Sequence, residues 1–269
     1  MTTKLQGPDR KLDYTQVTKN LSEQIKDYVQ SANNNTAIVW VSGWIDSAIV
    51  STLAAKAELK TVLLTMPIHQ NKDEVNRADK HIAELKQQHP NVTHINVDLT
   101  ETYESIKKEL CKTQSEENLY LALVNTRSRL RMTTLYAMSA VYKALVIGTG
   151  NKVEDYGIWF FTKYGDGWVD YSPIGELTKS EVYKLGKELW VIQDILDARP
   201  TDGLHPNGAT DEDQIWATYD ELEWAMDQYD QGKRTQDFTQ REAEVMEIYT
   251  NRHLANAHKM QMPPVATIE

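Results

Sequence analysis

The chain has 269 residues, a formal net charge of −10 and 41% hydrophobic residues. That length suits one large domain, and the acidic balance excludes general nucleic-acid binding while leaving room for a local positive site that takes a nucleotide. The single cysteine, Cys111, excludes an intrachain disulfide and a cysteine-based zinc site. No apolar run reaches the length of a membrane span and residues 1–10 lack an apolar signal core, so the expected location is cytoplasmic.

Residues 1–14 read as a polar arm. Leu21, Ile25, Tyr28 and Val29 then have helical spacing, ending near Asn33. Residues 37–41 are a buried strand, 42–47 a tight polar turn, and Ile49, Val50, Leu53, Ala54 and Ala57 one face of the next helix. Residues 61–66 form a second strand closed by Pro67. Residues 71–88 are helical, and His89-Pro90 ends them. Residues 92–99 are a third strand, 103–110 a short helix, 119–144 a longer helical stretch and 145–150 a fourth strand.

After residue 150 the texture changes. Residues 159–170 and 199–213 are rich in Gly, Asp, Pro and aromatics, as suits loops that close over a ligand. Thr178 and Glu181 have the spacing of a capping box. Residues 212–229 read as one acidic helix and 241–258 as a terminal helix. The alternation of strands and helices predicts a single Rossmann-like domain over 1–269, a three-layer α/β/α fold. It has a parallel sheet, helices on both faces and a helical C-terminal part. Ligands in such folds bind at the carboxyl ends of the strands, where 42–47 and 149–154 both lie.

The 42–47 turn is either an ordinary helix cap or an anion site, because the first N–H groups of a helix have no intrahelical partner. It lacks the Walker lysine pattern, and no G-x-G-x-x-G follows a strand. Glu154 is either a surface carboxylate or, paired with Asp46, a magnesium ligand, since Mg²⁺ takes one or two carboxylates plus phosphate oxygens. Arg129 and Arg131 point to different helix faces, and one of them can grip a phosphate or carboxylate. Lys163 and Lys179 are surface lysines or the cations a triphosphate site needs. Trp44 stands where backbone would have to approach a phosphate closely.

Several motifs occur in one order: Ser42-Gly43-x-Ile45-Asp46-Ser47, Gly148-Thr149-Gly150-Asn151-Lys152-x-Glu154, the run 161–170, Leu177-Thr178-Lys179, Pro200-Thr201-Asp202-x-Leu204 and Asp211-Glu212. In that order and near-spacing they resemble ammonia-dependent NAD synthetases, members of the wider group of ATP pyrophosphatases. The spacing from Glu154 to Lys163 is one residue longer than in that family.

The resemblance implies ATP-dependent amidation of deamido-NAD to NAD with ammonia, through an adenylated intermediate, releasing AMP and pyrophosphate. It implies an ATP site at Trp40, Val41, Ser42, Gly43, Trp44, Ile45, Asp46, Ser47, Thr149, Lys179 and Thr201. It implies deamido-NAD contacts from Arg129, Lys163, Asp170, His258 and Lys259, and Mg²⁺ held by Asp46 and Glu154. Asp46, Lys163 and Lys179 would be catalytic. The implied partners are small molecules and a second copy of the chain, as a homodimer, with no nucleic acid and no membrane. The alternatives are another ATP-pyrophosphatase amidoligase, or an impaired nucleotide-binding relative whose tryptophans block the phosphate loop.

Against the family pattern, Trp40, Trp44, Trp159, Trp168, Trp190 and Trp216 fall where glycine is expected, while Trp224 does not. The chain has 7 Trp and only 12 Gly. Exchanging the six would bring glycine to about 7%, the usual level. One UGA codon read as glycine in the source would account for all six.

Overall fold

The computed structural model describes residues 5–112, 118–201, 210–233 and 238–268. Four parallel strands, β1 (Thr36–Trp40), β2 (Lys60–Thr65), β3 (Val92–Asn96) and β4 (Leu145–Val146), form a sheet in the order β3-β2-β1-β4. The chain moves outward from β1 to β2 and β3, then returns to the other side of β1. The order therefore reverses between β1 and β4, and the carboxyl ends of these two strands flank a crevice.

Alternating strand residues sort two cores. Ala37, Val39 and Leu63 face one side, with apolar residues of α1 (Tyr14–Ser31), α2 (Ile45–Lys56) and α3 (Lys72–Gln88). Ile38, Val62 and Leu64 face the other, with Tyr103 of α4 (Thr100–Leu110) and Leu135 of α5 (Leu119–Tyr142). Helix α6 (Lys179–Glu188) returns to the first core through Val182 and Leu185, and α7 (Gln193–Leu196) through Ile195. This is the expected α/β sandwich. A third cluster joins α8 (Asp211–Ile215), α9 (Tyr219–Asp230) and α10 (Gln240–Asn256) around Leu222, Val245 and Tyr249, giving the helical C-terminal part. Among the described residues no helix is long and apolar enough to cross a membrane.

Two expectations are corrected, and one element was not anticipated. The strand expected at 145–150 stops at Val146, because residues 170–171 take over its hydrogen bonds: Val146 N donates to Asp170 Oδ2 at 2.8 Å and Gly148 N to Tyr171 O at 2.7 Å. The acidic helix expected at 212–229 is two helices, broken at Trp216, whose backbone is left-handed with φ 68°. Residues Lys152–Gly157, given no element from sequence, form a π-helical turn in which Ile158 N donates to Val153 O at 3.0 Å. A π turn takes up one residue more than an α turn. It lies in the stretch whose spacing is one residue long.

Trp159, Trp190 and Trp216 have φ of 54°, 56° and 68°, the region that glycine adopts without strain. Trp40 and Trp168 are not in that region, and Trp44 has φ −112°.

Candidate active site

The turn after β1 is built for close approach. Gly43 has φ 87°, and a Cβ there would lie 2.4 Å from Glu74 O, so only glycine fits. Ser42 N donates to Ser47 Oγ at 3.1 Å, and Ser47 Oγ donates to Trp44 O at 2.9 Å. Trp44 is the N-cap residue of α2 and offers no side-chain cap. The first N–H groups of α2 are thus left to a ligand or water.

A buried ion cluster sits beside this turn. Lys179, the first residue of α6, is 3% exposed. Its Nζ donates to Asp46 Oδ2 at 2.6 Å and to Glu154 Oε1 at 2.9 Å. Asn151, fully buried, ties the two carboxylate segments together: its Nδ2 donates to Asp46 Oδ1 at 2.9 Å, and its Oδ1 accepts from Val153 N and Glu154 N. Tyr219 Oη donates to Glu154 Oε1 at 2.5 Å. The start of α6 is fixed by the expected capping box, in which Glu181 Oε2 accepts from Thr178 N at 2.9 Å. Arg10 of the N-terminal arm clamps the same Glu181, with Nε to Oε1 at 2.6 Å. That arm therefore supports the lysine.

Burial pushes the Asp46 carboxyl above the usual range, opposed by Lys179. Burial acts on Glu154 in the same direction, but Lys179 and the Tyr219 hydroxyl outweigh it and hold Glu154 low. Burial alone would lower Lys179; Asp46 and Glu154 reverse this and raise it, so the ammonium persists. Asp155 is pushed well up by burial and by its neighbours Glu154, Asp166 and Asp46, and Asp166 is raised by burial.

Trp40, Ser42, Trp44, Ile45, Asp46, Ser47, Thr149, Glu154, Lys179 and Thr201 line one cavity of about 140 Å³. Val41 lines a neighbouring, more apolar cavity of about 290 Å³, with Met66, Pro67, Val75 and Asn96. It lies over the ends of β1 and β2. Arg129, Lys163, His258 and Lys259 do not line these cavities. They form a second cluster along the 159–170 loop: Arg129 Nε donates to Lys163 O, Lys163 Nζ to His258 O at 2.7 Å, and Lys259 Nζ to Phe161 O at 2.7 Å. Asp170 joins neither group; it accepts from Tyr136 Oη at 3.0 Å and from Val146 N. Asp202, Leu204 and most of the expected 199–213 lid lie outside the described residues.

Several residues of the site were not singled out by sequence. Of the two arginines left open by sequence, Arg131 rather than Arg129 lines the 140 Å³ cavity, where its Nη2 donates to Gln70 Oε1 at 2.8 Å. Asn151 and Asp166 lay inside quoted motifs but carried no assigned role. Asp211 also lay inside a quoted motif without a role, and Tyr219 carried no usable signal, since the helix break that brings it in is invisible to periodicity.

Two carboxylates converging on one cationic centre match the hard-oxygen donor set of Mg²⁺, which completes its shell with phosphate and water oxygens. Among the described residues no group of three or more His, Cys, Asp or Glu forms a closed metal cage. The pair therefore fits a metal that arrives with a phosphate substrate.

Residues 17–263 match the family described as NAD synthase. The chain is 36% identical over 214 residues to the NH(3)-dependent NAD(+) synthetase of Carboxydothermus hydrogenoformans, covering 79% of this chain and 85% of that protein. It is 41% identical over 204 residues to that of Mycoplasmopsis pulmonis, covering 76% and 75%. Among solved structures it resembles an NMN synthetase from Francisella tularensis, with TM-score 0.82, 29% identity and coverage of 96% and 100%. It also resembles the NH3-dependent NAD synthetase of Campylobacter jejuni, with TM-score 0.76, 26% identity and coverage of 95% and 100%. The chain belongs to the NAD synthase family.

Proposed function

We propose that this chain is a ligase that amidates deamido-NAD with ammonia, consuming ATP and releasing AMP and pyrophosphate. The observation that carries this is the convergence of Asp46 and Glu154 on Lys179, at the carboxyl ends of β1 and β4 beside the uncapped start of α2.

The nicotinate carboxylate oxygen attacks the α-phosphorus of ATP. The bond from that phosphorus to the bridging oxygen breaks, and pyrophosphate leaves. Ammonia then attacks the acyl carbon of the adenylate, AMP departs and the nitrogen loses a proton. Asp46 and Glu154 would hold Mg²⁺, which when bound offsets charge on the phosphates. Lys179 and the α2 N–H groups act on the same charge by position, without reorganising during the reaction. Arg131 gives a further cation in the cavity. Asp155 and Asp166 line it too, and burial raises their affinity for the departing proton. Arg129, Lys163, His258 and Lys259, with the 159–170 loop, read as the face for the deamido-NAD carboxylate and phosphates, where that loop keeps water from the adenylate. The homodimer reading comes from the family resemblance. A cytoplasmic location fits these substrates.

A second reading concerns the acceptor. The structural likeness to an NMN synthetase favours testing the mononucleotide form of the same carboxylate. Parallel assays with deamido-NAD and nicotinate mononucleotide, each with ATP, Mg²⁺ and ammonium, decide between them. A higher kcat/KM for deamido-NAD is expected; a higher value for the mononucleotide transfers the assignment to it.

A further inference from the structure

The break at Trp216 does more than end a helix. Asp211 opens α8 and Tyr219 opens α9. In one continuous helix residues eight apart would be separated by about 12 Å along the axis. Here the turn folds back, and Tyr219 Oη lies 2.9 Å from Asp211 Oδ2 and 2.5 Å from Glu154 Oε1. Tyr219 is buried, its backbone N donates to Glu212 Oε1 at 2.9 Å, and Lys179 Nζ stands 5.0 Å from its ring centroid. The phenol and the ammonium thus bind the same Glu154 oxygen from two elements, which fixes the rotation of that carboxylate.

We propose that Tyr219, backed by Asp211, is a positioning residue that presents the Glu154 carboxylate to the metal and the ATP phosphates. This rests on the reading of Asp46 and Glu154 as the magnesium pair. Losing an outer hydrogen bond to a metal-binding ligand commonly costs about 10- to 100-fold in metal affinity. Tyr219→Phe keeps the ring, its packing and its contact with Lys179, and removes only the hydroxyl.

The test is Mn²⁺ binding in the presence of ATP, followed by electron paramagnetic resonance, with thermal unfolding in parallel. Tyr219→Phe is expected to weaken Mn²⁺ by ~10- to 100-fold while KM for ammonia stays unchanged. Asp211→Asn should weaken it less. Asp46→Asn and Glu154→Gln serve as references. If these two leave Mn²⁺ binding intact, the magnesium pair is wrong. If they abolish it and Tyr219→Phe does not weaken it, the positioning role is wrong. The series is run in this chain and in a version with glycine at the six tryptophan positions named above.

A separate set of observations bears on those tryptophans. Trp40 lines the 140 Å³ cavity, the apolar cavity and a third of about 30 Å³ that Trp168 also lines. Trp44 lines the first of these, with the Arg77 guanidinium 4.4 Å from its ring centroid. Trp159 is left-handed and its buried indole N–H has no hydrogen-bond partner. Trp190 and Trp216 are left-handed and 88% and 78% exposed. Trp224 differs: it lies within α9 and packs edge-to-face on Phe238 at 5.2 Å.

We infer that these six positions are glycine in the working enzyme, written as UGA and decoded as glycine in the source cell, while Trp224 is a true tryptophan. One reassigned codon replaces six independent changes from the smallest to the largest side chain. The expected gene has UGA at all six positions and UGG at Trp224. UGG at the six, or UGA at Trp224 as well, overturns the inference. Peptide masses from protein isolated from the source cell are the second readout: glycine is expected at all six, and tryptophan at any of them contradicts it.

Discussion

Lys179 and Asp46 form a buried ion pair, Nζ to Oδ2 2.6 Å, across 133 residues of sequence. The same ammonium reaches Glu154 at 2.9 Å. The lysine is the counter-ion for both carboxylates. Removing one partner of a buried ion cluster leaves uncompensated charge and costs about 3–5 kcal/mol. Lys179→Met should therefore unfold earlier by that amount, and Mg²⁺ should restore more stability to it than to the parent. Thermal unfolding with and without Mg²⁺ measures both. Equal stabilisation of variant and parent would contradict a shared cation site.

Asp46→Asn and Glu154→Gln should each lower kcat/KM for ATP by ~100-fold or more, the scale of losing one preorganised electrostatic contact. Steady-state AMP formation at saturating ammonium measures this. Asn151→Ala, which frees Asp46 and Glu154 together, should fall between these variants and the parent.

The sheet was legible because β1 and β2 are apolar runs with clear breakers. The turn after β1 was legible because Ser42, Gly43, Asp46 and Ser47 are local in sequence. Lys179 was found as a candidate cation, but its grip on two carboxylates is a long-range contact that no periodicity carries. The π turn at Lys152–Gly157 left a trace only as a spacing one residue too long. Tyr219 was hidden because the break at Trp216 depends on backbone handedness, and tryptophan is the wrong residue to signal it.

Trp190 sits just past the end of α6, where Val191 N closes onto Gly186 O at 3.0 Å, a helix end that favours glycine. Its φ is 56°. Left-handed backbone costs an L-residue about 1–2 kcal/mol, and this ring is almost wholly in solvent, so little burial is lost on removing it. Trp190→Gly should raise the unfolding free energy by about 1 kcal/mol, read from urea denaturation. Gly43→Ala should do the opposite, since Glu74 O blocks its Cβ.

His81 is buried, with Nε2 2.9 Å from Ser51 Oγ. Burial lowers its pKa from 6.5 to about 4. The unfolded chain then binds the proton first as pH falls. Stability from this group is complete above about 6.5 and is lost as pH drops toward 4, by about 3 kcal/mol in all. Urea denaturation between pH 7 and 4 should show this slope, and His81→Gln should flatten it by that amount. An unchanged slope would place the acid sensitivity elsewhere.

The most direct measurement is product analysis on the chain and on its six-glycine version, given deamido-NAD, ATP, Mg²⁺ and ammonium. NAD, AMP and pyrophosphate in equal amounts, formed faster by the six-glycine version and slowed ~100-fold or more in both by Asp46→Asn, is the predicted result. ADP and phosphate in place of AMP and pyrophosphate, or no NAD from either version, would contradict it.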